Sequence, residues 1–162
     1  MTISDAMLCA SALRSSAAAK AKVPAVPQVL GVENSLEFRI GPECSPVEAM
    51  RRSDRFVSMV LPALLMAEPE AAALAEAVLA VLMELVDVTA RHRASLDLAG
   101  RVSFDGAHAL VTVGEMNRAL PTPEEEPGLY LVRRLVDDIG QYRGDEAGYV
   151  TWLSVPVRPN VP

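Results

Sequence analysis

The sequence predicts one α/β domain of the α+β type, a two-layer sandwich whose mixed β-sheet is covered on one face by about three helices. With 162 residues, 51% of them hydrophobic, the chain is long and apolar enough to enclose a single core. Its apolar residues recur at helical spacing through the two helices expected up to about residue 92, and at alternating spacing in the stretch that follows. Asp105-Gly106 then marks a tight hairpin between two strands.

Residues 1–34 are predicted to be a flexible N-terminal extension rich in Ala, Ser and Pro. Pro24 and Pro27 interrupt any helix there, which leaves room for one short helix before them. The domain itself is predicted over residues 35–158, and residues 159–162 form a C-terminal tail.

The domain is predicted to begin with a half-buried strand, because residues 36–40 alternate between apolar and charged side chains. A helix should follow, with Ser45 as its N-cap, Pro46 at its first position and Glu48 closing a capping box. A longer second helix is expected from Pro69 to about His92. Its core-facing side repeats at three- and four-residue steps through Leu74, Val78, Val81, Leu82, Leu85 and Val88.

The second half of the domain is predicted to contain a strand pair joined at the hairpin, a loop, a third helix and a closing strand. Gly100, in the first of these strands, is expected to mark a bulge or a break. The remaining elements are the return strand 107–113, the acidic loop 114–127, the helix 129–139 capped by Gly140, and the closing strand 149–157.

Composition excludes several classes of function. A net charge of −6 argues against binding nucleic acid or an anionic membrane surface, and it favours a basic partner. Cys9 and Cys44 are too few for a disulfide framework and have no zinc-ligand spacing. Glu76 and Glu84 interrupt the longest apolar stretch. These features predict a soluble, cytoplasmic protein.

Three stretches resemble motifs of one family. They are Glu-Leu-Val-Asp-Val-Thr-Ala-Arg-His at 84–92, Pro-Gly-Leu-Tyr-Leu-Val at 127–132, and Tyr-Val-Thr-Trp-Leu-Ser-Val-Pro-Val at 149–157. In this order they resemble the histidine-kinase-like ATPase (Bergerat) domain of the GHKL superfamily. More narrowly, the chain is similar to the anti-sigma regulatory factors, the small serine-kinase-like proteins of bacteria. The resemblance covers residues 35–158.

The resemblance implies a nucleotide site, and several of its positions are changed. The family's helix Asn, which holds the magnesium ion bridging the triphosphate, corresponds to Val88, which offers no oxygen ligand. The family's Asp, which accepts a hydrogen bond from adenine, corresponds to Gly114, or to Glu115 if the alignment shifts by one. The glycine that follows it in the family falls near Met116. Gly128 matches the family's glycine at the start of the third helix, so this motif position is unchanged.

Two further positions concern catalysis and phosphate binding. Glu84 matches the carboxylate that acts as general base for a serine hydroxyl in active members, and a base is useful only beside a positioned γ-phosphate. The lid carries Glu124-Glu125-Glu126, which would repel a nucleotide bearing about four negative charges. The same run could also be a solvated loop that contributes only to solubility.

These observations predict a degenerate anti-sigma-like regulator that binds a protein and performs no catalysis. The resemblance implies a sigma factor, a STAS-type antagonist or a second copy of the chain as partner. The changed residues predict neither a cofactor nor a metal. The alternative is an active ATP- and Mg²⁺-dependent serine/threonine kinase, in which Asp87 or Glu84 holds the metal and Glu115 binds adenine. A third possibility is a cleft adapted to another small ligand.

Overall fold

The computed structural model describes residues 11–14 and 35–157. Six strands and three helices lie in these residues. In chain order they are β1 (Ser11–Arg14), β2 (Ser35–Ile40), α1 (Pro46–Leu64), α2 (Ala71–Arg91), β3 (Leu98–Phe104), β4 (His108–Met116), α3 (Gly128–Leu135), β5 (Asp138–Arg143) and β6 (Tyr149–Pro156).

The described strands form one sheet in the order β1-β2-β3-β4-β6-β5, and every neighbouring pair is antiparallel. The expected mixed sheet is therefore wrong. A helix that joined β4 directly to β6 would make these two neighbours parallel. Strand β5 lies between α3 and β6 and reverses the chain direction, so β6 returns antiparallel to β4.

The helices cover one face of the sheet, so the predicted two-layer arrangement is confirmed. Helix α1 packs on β2, α2 packs on β4, and the two helices pack on each other. Alternate residues of β2 (Leu36, Phe38 and Ile40) are at most 1% exposed and belong to the same core as the α2 stripe from Leu74 to Val88. The opposite sheet face carries the intervening residues of each strand.

The start of α1 confirms the predicted N-cap. The Ser45 hydroxyl oxygen accepts a hydrogen bond from the Glu48 N–H at 3.2 Å, and Pro46 occupies the first helical position. The Glu48 carboxylate accepts hydrogen bonds from Arg51 and Arg52 on the next turn. Glu48 therefore contributes to this helix through ion pairs along its surface.

Gly100 is not a bulge. The β2–β3 register runs without interruption from Leu36 opposite Val102 to Ile40 opposite Leu98, with Phe38 opposite Gly100. A Cβ on Gly100 would overlap the Phe38 ring. Glycine is required here because the buried Phe38 ring lies directly on the β3 backbone.

The third helix is shorter than predicted, and a strand was missed. Helix α3 ends at Leu135, Val136 is extended, and Gly140 lies within β5, where it does not cap a helix. The β-hairpin at Asp105-Gly106 and the strands near residues 36–40 and 149–157 are confirmed. The return strand is longer than expected, because β4 continues through Gly114 and Glu115 to Met116.

Residues 11–14 fall within the predicted N-terminal extension. They form β1, a strand not predicted from the sequence, which pairs with β2 at the edge of the sheet. The rest of the extension, including Cys9, Pro24 and Pro27, lies outside the described residues, as do residues 158–162.

Candidate functional site

The C-terminal half of α2 brings together most of the site residues expected from the sequence. Glu84, Asp87, Val88 and Arg91 lie three or four positions apart, which places them on neighbouring turns along one side of the helix. Val88 is 1% exposed and belongs to the core, whereas the three charged residues reach toward the acidic loop before α3. Val88, the residue expected at a metal-binding position, is thus an apolar packing residue.

Arg91 joins α2 to the acidic loop. Its Nη1 and Nη2 atoms donate to the two carboxylate oxygens of Glu126 at 2.6 and 2.8 Å. Its Nε and Nη2 atoms donate to Asp87 Oδ2 at 3.1 and 2.8 Å. The hydrogen bonds to these carboxylates raise the pKa of Arg91, and the bond from Arg91 lowers the pKa of Glu126.

The acidic run has partners at each residue. Glu124 accepts a hydrogen bond from the Tyr130 hydroxyl at 3.2 Å, and Glu125 accepts one from the Thr122 N–H at 2.9 Å. Hydrogen bonds lower the pKa of all three carboxylates. The largest effect on Glu124 comes from the backbone N–H of Glu124 itself. The largest effect on Glu125 comes from the Thr122 N–H, and the largest on Glu126 comes from the Arg91 side chain. The run is therefore an exposed loop whose carboxylates accept hydrogen bonds from neighbouring groups.

Glu84 lies against the first residue of α3. A Cβ on Gly128 would overlap the Glu84 carboxylate, so the glycine allows the two helices to approach at this point. Burial raises the pKa of Glu84, and the negative charges of Asp87 and Glu126 raise it further, although Arg91 opposes them. The acidic group beside the N-terminus of α3 is therefore the Glu84 side chain of the protein itself.

Gly114 and Glu115, the two candidates for the adenine position, lie away from this cluster. Gly114 lines a groove on the sheet face that the helices leave uncovered, beside Val150. Glu115 accepts hydrogen bonds from the N–H groups of Glu146 and Gly148 at 3.1 and 2.9 Å, which fix the turn between β5 and β6. The fold thus brings Glu84, Val88 and Gly128 together and leaves these two positions on the other side of the sheet.

A partly buried polar cluster was not predicted from the sequence. The Gln141 side-chain amide donates to the Thr151 hydroxyl at 3.0 Å and accepts from the Leu120 N–H at 2.8 Å. The Thr151 hydroxyl in turn donates to Met116 Sδ at 3.7 Å. This cluster fixes the start of the acidic loop to β5. Thr151 stands in the closing-strand motif, but nothing in the sequence indicates Gln141 as its partner.

The two histidines have structural surroundings. His92 is the C-cap residue of α2, as expected for the helix-end histidine of the motif, and its carbonyl accepts from the Asn117 N–H at 2.7 Å. His108 Nε2 lies 3.2 Å from Asp137 Oδ2 on the uncovered side of the sheet. Neither histidine is placed beside Glu84 or Gly128 by any of these contacts.

The residues of this cluster do not fit a magnesium–nucleotide complex. Within residues 35–157, no group of three or more His, Cys, Asp or Glu side chains is arranged to hold a metal ion. Asp87 and Glu126 share Arg91, and Val88 has no oxygen to offer. Magnesium in a nucleotide site takes one or two oxygens from the protein and the rest from phosphates and water, and here the expected side chain is an apolar valine while the neighbouring Asp87 is paired with Arg91.

The fold and this cluster define a two-layer α+β domain with an ion-paired loop across the end of its longest helix. A comparison of the chain with models of known protein families finds no match, and a search of curated proteins finds no relative. No helix in the described part of the chain combines the length and apolar character needed to cross a bilayer.

Proposed function

We propose that this protein is a regulatory binding module, a histidine-kinase-like ATPase domain of the anti-sigma type that no longer uses a nucleotide. It acts in the cytoplasm by binding a protein, either a sigma factor or a STAS-type antagonist of one. The observation that carries the proposal is the contact of Arg91 with both Asp87 and Glu126. These internal ion pairs lie where the resemblance would lead us to expect the phosphates of a nucleotide.

Electrostatics support the loss of nucleotide binding. A triphosphate beside α3 would meet the carboxylates of Glu84 and Asp87 and would have to displace Glu126 from Arg91. A nucleotide bearing about four negative charges is repelled by each of these groups, most strongly where water is partly excluded. The raised pKa of Glu84 indicates that this environment already disfavours one further negative charge.

The sequence resemblance supplies the family part of the proposal. The three motif stretches fall on the C-terminal half of α2, on the start of α3 and on β6, in the order the resemblance requires. An antiparallel sheet with helices on one face accommodates that order. The proposal joins this resemblance to the changed residues at Val88 and Gly114.

The alternative, an ATP- and Mg²⁺-dependent serine/threonine kinase, requires other ligands in the same site. Asp87 would have to leave Arg91 to hold the metal. Glu115 would have to release the N–H groups of Glu146 and Gly148 to bind adenine. The first change breaks an ion pair along α2 and the second releases the turn between β5 and β6, so the binding module is the better account of these residues.

Calorimetry with millimolar ATP, with and without Mg²⁺, tests the proposal. We expect no heat of binding and no rise in melting temperature. Micromolar binding, which corresponds to about −8 kcal/mol, would contradict it. Phosphorylation of a STAS protein that is lost in Glu84→Ala would instead establish the kinase.

Partner binding needs a separate experiment. The folded full-length chain, used as bait in an extract of its native host, should recover a sigma factor or a STAS-domain protein. Arg91→Ala serves as the companion bait, because it disturbs the acidic loop without removing the domain core. Recovery of neither class of protein by a bait that is folded by circular dichroism would contradict the proposed function.

A further inference from the structure

The face of the sheet opposite the three helices carries a continuous groove. No other described element covers it. One half, of about 580 Å³, is lined by Leu110, Tyr142 and Trp152, and Leu110 and Tyr142 are 42% and 51% exposed. The other half, of about 890 Å³, shares Arg101, Thr112 and Tyr142 with the first half. The two halves therefore form one surface that runs along the strands.

Glycines shape the floor of this groove. Gly140 of β5 lies opposite Trp152 of β6, and a Cβ on Gly140 would come within 2.9 Å of three atoms of the indole. Gly114 is similarly close to Val150, with a distance of 2.8 Å from its hypothetical Cβ to Val150 Cγ2. The indole and the valine therefore pack onto bare backbone, which gives the groove an apolar floor.

The two ends of the groove differ in charge. The larger half is lined by five carboxylates and two guanidiniums. One carboxylate, Glu37, lies 3.6 Å from Arg101 in an ion pair. The carboxylates of Asp97, Asp145 and Glu146 make no ion pair or hydrogen bond with the described residues. The apolar half thus leads into an end with unneutralised negative charge.

The length of the groove favours an extended chain over a compact ligand. Six residue steps along β4 separate His108 at one end from Gly114 at the other, which is about 20 Å. An extended peptide of about six residues spans the same distance. In such a peptide, a residue whose apolar side chain contacts Trp152 would be a few residues away from a Lys or Arg at the acidic end of the groove.

We propose that this groove binds an extended basic segment of a partner protein. An aliphatic or aromatic side chain packs between Leu110, Tyr142 and Trp152, and a Lys or Arg four or five residues away lies beside Asp145 and Glu146. Apolar burial supplies the anchor, and the opposite charges set the direction of the segment. This inference deepens the proposed function, because it rests on the partner being a protein.

Trp152 provides a direct test, since it is the only tryptophan of the chain. In the free full-length protein its fluorescence should be quenched by acrylamide, because no element among the described residues covers the groove. Protection of Trp152 that does not depend on protein concentration would mean that the chain's own remaining residues fill the groove. Protection that grows with concentration would mean that a second copy does. Either result overturns the proposal.

Titration with synthetic peptides tests whether the groove binds a basic segment. The probe is the acetylated, amidated peptide Leu-Ala-Val-Ala-Ala-Arg-Lys, and its control has two Glu residues in place of Arg and Lys. The basic peptide should change Trp152 fluorescence in a saturable, salt-sensitive manner, and the acidic peptide should not. Absence of binding by the basic peptide, or equal binding of the two, overturns the proposal.

A matched pair of variants tests whether the Lys or Arg of the bound peptide lies beside Asp145 and Glu146. The double variant Asp145→Asn, Glu146→Gln should lower the affinity for the basic peptide by about two- to five-fold, as expected for exposed charge pairs. Glu76→Gln, an exposed carboxylate on α2, should leave the affinity unchanged, and an equal loss in both variants would overturn the assignment. If the peptide fails while a sigma factor or STAS protein is captured by the full chain, the proposed function stands and the partner uses another surface.

Discussion

The Arg91 guanidinium forms a two-point contact with the Glu126 carboxylate, with N–O distances of 2.6 and 2.8 Å, across 35 positions of sequence. Paired hydrogen bonds of this kind fix orientation as well as distance. Arg91 is anchored to its own helix by Asp87 one turn earlier. The acidic loop is therefore attached to α2 by a side chain that is itself held in place.

Removing this contact should loosen the loop. In Glu126→Gln, amide hydrogen exchange over residues 117–127 should accelerate by up to about five-fold, since a partly exposed ion pair contributes at most about 1 kcal/mol. Arg134→Gln, on the exposed side of α3, is the control and should leave the exchange unchanged. Because Arg91 lowers the pKa of Glu126, the contribution is present above the ordinary pKa of glutamate and is lost as pH falls through the lowered value. Unchanged exchange in the variant at pH 7 would contradict the role assigned to the contact.

Glu84 gives the opposite pH dependence. Its pKa is raised in the folded protein, chiefly by burial, so its ionisation opposes folding as pH rises from the unfolded pKa through the folded one. Glu84→Gln should therefore be more stable than the wild type at pH 7, by under about 1 kcal/mol. The gain should vanish below about pH 4, where the carboxyl is protonated in both states. Urea unfolding at the two pH values measures this, and a loss of stability at pH 7 would show that the carboxylate has a favourable partner.

Gly100 should tolerate no side chain while Phe38 is present. Gly100→Ala introduces a methyl group into the space of a fully buried ring, and overpacking of this kind costs about 1–3 kcal/mol. Gly41→Ala is the control, because nothing lies within 4 Å of its Cβ position. Adding Phe38→Leu to Gly100→Ala should cost less than the sum of the two single changes in denaturant unfolding. Full additivity would mean that the ring and the methyl group do not meet.

Glu115 should act as a structural acceptor for the β5–β6 turn. Glu115→Ala removes the acceptor of two N–H groups and should cost about 1–3 kcal/mol in thermal or urea unfolding. Glu115→Gln keeps an oxygen acceptor and should lose less. Glu146→Ala is the control, since only the backbone of Glu146 takes part. Equal stability of Glu115→Ala and the wild type would contradict this assignment.

The polar residues of β5 explain why this strand was missed. Gln141 stands at an inward position, where a sequence pattern calls for an apolar residue, and its polarity is satisfied by Thr151 and by the Leu120 N–H. Gly140 stands at an outward position, where it accommodates the Trp152 ring. With these two positions occupied by Gln and Gly, no alternation of apolar residues remains for sequence analysis to detect.

The candidate site was predictable in its helical part and not in the rest. The spacing of Glu84, Asp87, Val88 and Arg91 along one side of α2 follows from the helical period alone. The partner of Arg91 does not, because many residues separate it from Glu126 and three consecutive glutamates offer equal chemistry. The uncovered groove was also unpredictable, since it depends on which strands become neighbours.

Several elements could be predicted because their signals lie within a few residues of sequence. These are the period-2 and period-3.6 stretches, the Ser45 cap, the Asp105-Gly106 hairpin and an apolar Val88 at the metal-ligand position of the resembled motif. Contacts between distant residues fix the all-antiparallel order of the sheet, the closeness of Phe38 to Gly100 and the ion pair of Arg91 with Glu126. The physical reason is that local propensity and capping act within a few residues. Strand pairing, close packing and ion pairs between distant residues are fixed only when the whole core assembles.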